Sequence, residues 1–271
     1  MGVLLGHHAN RLEITVLAEC DSTNTVLMAR AENGAPSGTV LITAHQTAGR
    51  GRRGRRWISA PGDSLTFSLL WRFPVPTNPA GLSLAVGLAI ARAITKIHNT
   101  PANPPASRRP VHLKWPNDIL LDGKKLGGIL VELVPGTFPS TSLSTSVTAS
   151  APSAAVIGIG INLRLPEAMP PDIRASATAL AVDDATHLLA AALIELLAVL
   201  DQFEQNGFVS MRDDWSALHA HQNAPVCLLS DFAPPREGLC RGVDVDGALL
   251  LEVNGRIERV LSGEISLRGA A

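Results

Sequence analysis

Nine residues, Gly49 to Trp57, read GRGRRGRRW: five arginines and three glycines closed by a tryptophan. Guanidinium groups grip phosphate and carboxylate oxygens in bidentate fashion, glycines let backbone approach a bound group, and an indole stacks on a purine. A flexible cationic loop of this kind suits an anion that arrives, reacts and is then covered, such as a nucleotide or an acyl-phosphate. The chain as a whole is nearly neutral, with Lys+Arg 23 against Asp+Glu 24. Affinity for anions is therefore local, and no general basic field is present to hold nucleic acid. Gly49, Gly51 and Gly54 also fit the dinucleotide pattern GxGxxG. The fit is weak, because His45 to Ala48 separate the preceding strand from the first glycine and Pro61-Gly62 forbids a long helix after the last.

Three other stretches carry chemistry. KWPNDILLDGKKLGGILVEL puts Lys114 at the end of an apolar strand, in a chain with only four lysines against nineteen arginines. A compact ammonium there can sit beside a developing anion, although a lysine at a strand end can equally snorkel outward. GIGINL places glycines in a buried strand, where a ligand or another backbone can come close. CDSTN sets Ser22, Thr23 and Asn24 at a helix N-terminus, and plain capping accounts for only one of the three.

The elements that position these residues are legible from periodicity. Asp21 to Gly34 predicts a helix, GTVLITA and DSLTFSLLWRF predict strands on either side of the arginine run, and AGLSLAVGLAIARAITKIH predicts a helix ended by a proline cluster. VHLKW, DILL and KLGGILVELV are strand candidates, the last two joined by a turn at DGKK, and AVIGIGINL is another. From Asp184 to Gly207, Leu189, Leu193, Leu196, Leu200 and Phe203 form one apolar helical stripe. The Ser/Thr/Pro-rich stretch 137–153 reads as an excursion between strands. Towards the C-terminus short strands alternate with turn signals at Asp246-Gly247 and Asn254-Gly255. The predicted organisation is a larger domain over 1–221 and a small β-barrel-like module over 222–271.

Hydrophobic residues at 46% and charged residues at 17% indicate a well-buried globular chain. Three cysteines with no CxxC pair fit a reducing, cytoplasmic compartment and argue against a disulfide framework or a structural zinc site. The run LLAAALIELLAVL is interrupted by Glu195 and reads as too short to span a bilayer, so no membrane association is expected.

Taken in order and spacing, GRGRRGRRW, KWPNDI, KLGGILVE, GIGINL and the C-terminal GEISLR resemble the biotin protein ligases, over nearly the whole chain. The resemblance implies an α+β fold, with a mixed β-sheet catalytic domain flanked by helices and a small C-terminal SH3-like β-barrel. It implies ATP, Mg2+ and biotin as reactants, biotinyl-5′-adenylate as intermediate, and a lysine of a biotin carboxyl carrier domain as acceptor. It assigns Ser22, Thr23, Asn24 and Gln46 to biotin's ring end. Arg50, Gly51 and Arg52 fall on the carboxylate and phosphate side, with Lys114 and Arg52 at the reacting centre. Arg55, Trp57, Asn162 and Arg268 fall to the nucleotide, and no metal ligand is assigned. About a dozen residues precede the first strand, too few for the DNA-binding domain of those family members that act as repressors. Lipoate or octanoate transfer on a similar fold is the alternative chemistry; a linear acyl chain needs an apolar slot, so the polar set at 22–24 and 46 favours a ureido ring.

Overall fold

The computed structural model describes residues 1–73, 77–98, 109–135, 152–167, 169–182, 184–230, 233–262 and 265–269. The stretch 137–153 lies outside the described residues except for its last two, where a strand begins. A short helix α1 (Gly2–Leu5) and a 3-10 turn (Gly6–Arg11) lead into strand β1 (Glu13–Cys20). Helix α2 (Thr23–Glu32) then crosses to β2 (Thr39–Gln46), which lies parallel to β1. The remaining strands of this sheet are β3 (Ser64–Arg72), β4 (Val111–Lys114), β5 (Asp118–Leu121), β6 (Lys124–Pro135) and β7 (Pro152–Asn162), all antiparallel to their neighbours. The order is β1-β2-β3-β7-β6-β5-β4, a mixed sheet as expected.

Alternation along the central strands decides where the site lies, because successive side chains point to opposite faces. Leu65, Phe67 and Leu69 of β3, and Ile157, Ile159 and Ile161 of β7, enter the main core beneath helices α3 (Leu82–His98) and α5 (Ala185–Asn206). On the opposite face, Leu70, Val134, Ala154 and Val156 pack under Leu27 and Ala31 of α2. Two residues further along, that face turns small and polar. Thr66 and Ser68 of β3 stand opposite Gly160 and Gly158 of β7, and Gly128 of β6 faces Gly160. The sheet is thus apolar where α2 covers it and polar where the covering stops.

Helix α5 has 22 residues, enough by length and composition to cross a bilayer, so the sequence-based expectation of a shorter run is corrected. Its stripe Leu189, Leu193, Leu196, Leu200 and Phe203 is buried inside the protein, and Glu195 is ion-paired with Lys96. Glu195 interrupts the apolar run without breaking the stripe, because it pairs with a lysine on the helix packed alongside. Two short helices, α4 (Pro171–Ser176) and α6 (Arg212–Ala217), lack a periodic signature in the sequence and emerge only in the structure.

The C-terminal strands β8 (Pro225–Ser230), β9 (Arg236–Val243), β10 (Leu249–Val253), β11 (Arg256–Val260) and β12 (Ile265–Gly269) form a second, fully antiparallel sheet in the order β11-β10-β9-β8-β12. Its edge strands do not pair with each other among the described residues, so the sheet is open rather than a closed barrel. The β10–β11 hairpin turns through Asn254 (φ 51°) and Gly255 (φ 75°), the left-handed pair that an Asn-Gly turn requires. Val226, Leu228, Leu249 and Leu267 of this sheet belong to the same hydrophobic core as Phe67 and Trp115, and Trp115 Nε1 donates to the Gly247 carbonyl at 3.0 Å.

Candidate active site

One cavity of about 870 Å³ opens over the polar face of the sheet. Ser22, Thr23, Asn24 and Gln46 line one end of it; Arg50, Gly51, Arg52, Arg55 and Trp57 line its loop side. Lys114 and Asn162 rise from strand ends, and Arg268 comes from β12 in the other sheet. Every residue expected at the site from the sequence therefore meets in a single volume, although the positions span nearly 250 residues of chain.

The end built on α2 is buried and, apart from the Ser22 hydroxyl, bonded within itself. The Thr23 amide donates to Gln46 Oε1 at 2.8 Å, and the Thr23 hydroxyl donates to the same oxygen at 3.2 Å. Ser68 Oγ donates to Asn24 Oδ1 at 2.6 Å and lies 2.7 Å from Thr23 Oγ1. Asn24 Nδ2 donates onward to the Leu130 carbonyl and to Glu132 Oε2 at 2.9 Å. Ser22, Thr23, Asn24, Gln46 and Ser68 are all buried. A Cβ added to Gly158 would overlap Asn24 Oδ1, so the first glycine of GIGIN is there to admit a side chain of α2. Ser22 is the N-cap of α2, yet its hydroxyl makes no cap bond and is free to face the cavity.

The arginine loop is arranged differently. It contains no long helix: Arg52–Gly54 forms a single 3-10 turn with Arg53 in the left-handed region (φ 59°), which rules out a dinucleotide-type turn. Arg50 grips Glu132 with both terminal nitrogens, at 2.7 and 3.2 Å, with its side chain 47% exposed. Arg52 donates to Asn117 Oδ1 at 3.1 Å and to the Ser262 carbonyl beside the second sheet. The Trp57 ring lies over the strands, where a Cβ on Gly160 would come within 2.6 Å of it, and its indole Nε1 is buried without a partner.

At the seam between the two ends stands a charge cluster that KWPND and DGKK bring together. Asp118 accepts from Lys125 at 2.5 Å and lies 3.4 Å from Lys114. Burial pushes the Asp118 carboxyl up, but the charges of Lys125 and Lys114 outweigh it and hold the group below the usual carboxylate range. Asn162 Nδ2 donates to the Thr178 carbonyl, fixing the end of β7 beside α4. Below the cluster, His219 is buried against Trp215 and its imidazole is pushed down to about 4, chiefly by burial and then by the neighbouring His221. Ser68, Asn117, Asp118, Lys125, Glu132 and His221 escape the sequence reading. Asn117 and Asp118 lie within KWPND, and Lys125 and Glu132 within KLGGILVE, without being singled out there; Ser68 had the signal of the alternation Ser64-Thr66-Ser68 against Leu65-Phe67-Leu69, and His221 had none.

Residues 16–162 match the Biotin/lipoate A/B protein ligase family, and residues 234–268 match the Biotin protein ligase C terminal domain. The bifunctional ligase/repressor BirA of Escherichia coli is 37% identical over 264 residues, spanning 95% of this chain and 74% of that protein. A biotin–[acetyl-CoA-carboxylase] ligase of Mycobacterium tuberculosis is 34% identical, spanning 97% of this chain and 91% of its own. Among solved structures, the biotin protein ligase of Aquifex aeolicus in complex with biotin and ATP superimposes with a TM-score of 0.74 at 29% identity, over 95% of this chain and 99% of that one.

Proposed function

The chain belongs to the Biotin/lipoate A/B protein ligase family, and from that premise we propose that it is an ATP-dependent biotin protein ligase. It joins biotin to AMP with release of pyrophosphate, then passes the biotinyl group to a lysine of a carboxylase's biotin carrier domain. The observation that carries this reading is the composition of one cavity: a closed, hydrogen-bonding end beside a glycine-rich cationic loop, with Lys114 lining the same volume. The polar end suits a ureido ring and disfavours a linear acyl chain.

In this reading biotin's ring end is held by Ser22, Thr23, Asn24 and Gln46, and its carboxylate reaches towards Arg50, Gly51 and Arg52. Attack of that carboxylate on the α-phosphorus brings two anions together, so Lys114 and Arg52 lower the barrier by neutralising charge that develops in the transition state. Arg55, Trp57, Asn162 and Arg268 face the nucleotide, with Trp57 near the adenine. Mg2+ enters as part of the nucleotide substrate. Among the described residues no group of three or more His, Cys, Asp or Glu converges on a metal position, which fits an ion carried on phosphates with few protein ligands. The adenylate hydrolyses in water, which gives an ordered loop over it a purpose.

Residues 1–221 form the catalytic part in this proposal and 222–271 an SH3-like C-terminal part. Its contribution is Arg268 on the nucleotide or carrier side. Three free cysteines suit a cytoplasmic setting. The test is incubation with biotin, Mg-ATP and a biotin carrier domain, read by mass spectrometry of the carrier. One added biotinyl group, dependent on ATP, is the expected result; no gain in mass and no pyrophosphate release would overturn the reading.

A further inference from the structure

The transfer step needs a proton acceptor that the adenylation step does not. A carrier lysine arrives as an ammonium with a pKa of about 10.4, and only its neutral amine attacks a carbonyl. Three described side chains lining the cavity carry a carboxylate or an imidazole: Asp118, Asp172 and His221. Asp118 is occupied by Lys125 and Lys114 and binds protons more weakly than an ordinary carboxylate. Asp172 sits on α4 beside Ile173, and among the described residues no ion pair joins its carboxylate to Lys114, whose partner is Asp118.

His221 is held where the reaction occurs. The Leu113 amide donates to the Leu218 carbonyl and the Ala220 amide to the Leu113 carbonyl, both at 2.8 Å. This short parallel bridge pins the segment 218–221 alongside the residue that precedes Lys114. From the other sheet, Gly269 lies against the ring: a Cβ there would come within 3.6 Å of His221 Cε1. The imidazole therefore stands between Lys114 of β4 and Arg268-Gly269 of β12. No hydrogen bond engages either ring nitrogen among the described residues.

We propose that His221 is the general base of biotinyl transfer, taking the proton that the incoming carrier lysine must lose. This rests on the ligase reading above. The ammonium gives one proton to the imidazole, and the freed amine forms the C–N bond to the biotinyl carbonyl. The C–O bond to phosphate then breaks with its electron pair going to AMP. The nitrogen's second proton leaves with the product phosphate or water, and the imidazolium returns its proton to solvent. The groups facing His221 suit this task. Lys114 and Arg268 are cations, and His219, edge-on at 6.2 Å, is kept neutral by burial. Burial, and then the charge of Lys114, lowers His221 itself, so the ring is uncharged at neutral pH and ready to accept.

The experiment uses full-length protein loaded with biotinyl adenylate and measures single-turnover release to two nucleophiles. One is the carrier lysine, which must lose a proton; the other is hydroxylamine, which is largely uncharged at neutral pH. His221→Phe and His221→Asn should cut the carrier rate on the order of a hundred-fold, the lower end for a positioned base, relative to the hydroxylamine rate. In the unaltered protein the ratio of the two rates, with the hydroxylamine rate taken per unprotonated nucleophile, should fall as the imidazole protonates below neutral pH, and this inflection should vanish in both variants. The two substitutions differ in packing and share the loss of the base, so a folding defect in one leaves the other informative. Equal losses for both nucleophiles, or an inflection that persists, would overturn the base while leaving the ligase reading intact. An unaltered protein that makes no adenylate would instead overturn the ligase reading, and this proposal with it.

Discussion

The two ends of the cavity solve opposite problems. Around Thr23, Asn24, Gln46 and Ser68 the polar groups are buried and bonded to one another before any ligand arrives. Around Arg50, Arg52 and Trp57 the groups are half-exposed and bonded to stand-ins: a carboxylate, an amide oxygen, a backbone carbonyl, and for the indole nothing. In the proposed function the first end gives affinity and selectivity without reorganisation, since its order is built during folding. The second, in the same proposed function, opens for a triphosphate, closes over a reactive product and opens again. A loop whose resting contacts are individually weak meets that demand.

The largest expected effect falls at the seam. Lys114→Ala removes a cation whose contact strengthens as charge develops, at a cost of roughly 2–4 kcal/mol in the adenylation barrier. Pyrophosphate release should slow by tens- to a thousand-fold while biotin binding changes much less. Release near the normal rate would show that the seam belongs with neither end and that Lys114 only balances Asp118.

Arg52→Gly comes next. It deletes a charge-assisted contact worth about 1.5–3 kcal/mol and adds backbone freedom to the loop. Preformed adenylate should escape about ten- to a hundred-fold faster while its synthesis persists. Labelled adenylate chased from both proteins measures this, and equal dissociation rates would mean the loop does not retain the intermediate. The bond from Arg52 to Ser262 adds a second expectation, that the loop loosens from the C-terminal sheet in the same variant.

How these ends read in the sequence differs for a physical reason. The arginine loop announces itself by composition, because flexible anion binding requires glycine and arginine whatever surrounds them. The closed end is harder to see: Ser22, Thr23 and Asn24 stand out at a helix start, but Ser68 and Glu132 complete the network from strands 44 and 108 residues away from Asn24. Pairing register, which no local pattern reports, brings them together. The glycines of GIGIN are legible as places of close approach, yet what approaches Gly158 and Gly160 is the chain's own Asn24 and Trp57. His221 had no signal at all, since it lies in a turn whose position is set by a bridge to Leu113. The C-terminal hairpins were readable from Asn-Gly and Asp-Gly, whereas an open sheet cannot be told from a closed barrel by turn residues alone.

Two neighbouring glycines offer a direct contrast between the ends. At Gly158 an added methyl meets Asn24, which three bonded partners hold in place, so Gly158→Ala should cost about 1–3 kcal/mol of stability and weaken biotin binding. At Gly160 the methyl meets the Trp57 ring, which belongs to the arginine loop and has no hydrogen-bond partner to hold it. Gly160→Ala should therefore leave thermal stability nearly unchanged and shift nucleotide affinity instead. Melting curves and titrations of the pair decide it: equal destabilisation would mean the loop is as rigid as the closed end.

The smallest effect is the most telling about the loop. Arg50 and Glu132 make a bidentate pair at 2.7 and 3.2 Å, the kind of geometry often credited with holding a structure together. The Arg50 side chain is 47% exposed, however, so water and salt screen the attraction and ordering the long side chain offsets much of the rest. Arg50→Ala should change the free energy of unfolding by less than about 1 kcal/mol. Ser68→Ala, which removes one hydroxyl from the buried network and leaves Asn24 Oδ1 without its donor, should cost more, about 1–3 kcal/mol. Denaturant unfolding of the two variants at low and high salt tests the ordering. The arginine variant should differ from the parent only at low salt, and the serine variant equally at both. A loss for Arg50→Ala as large as that for Ser68→Ala would show that the arginine loop is locked by its resting contacts, and the distinction between a prebuilt end and an exchanging end would fail.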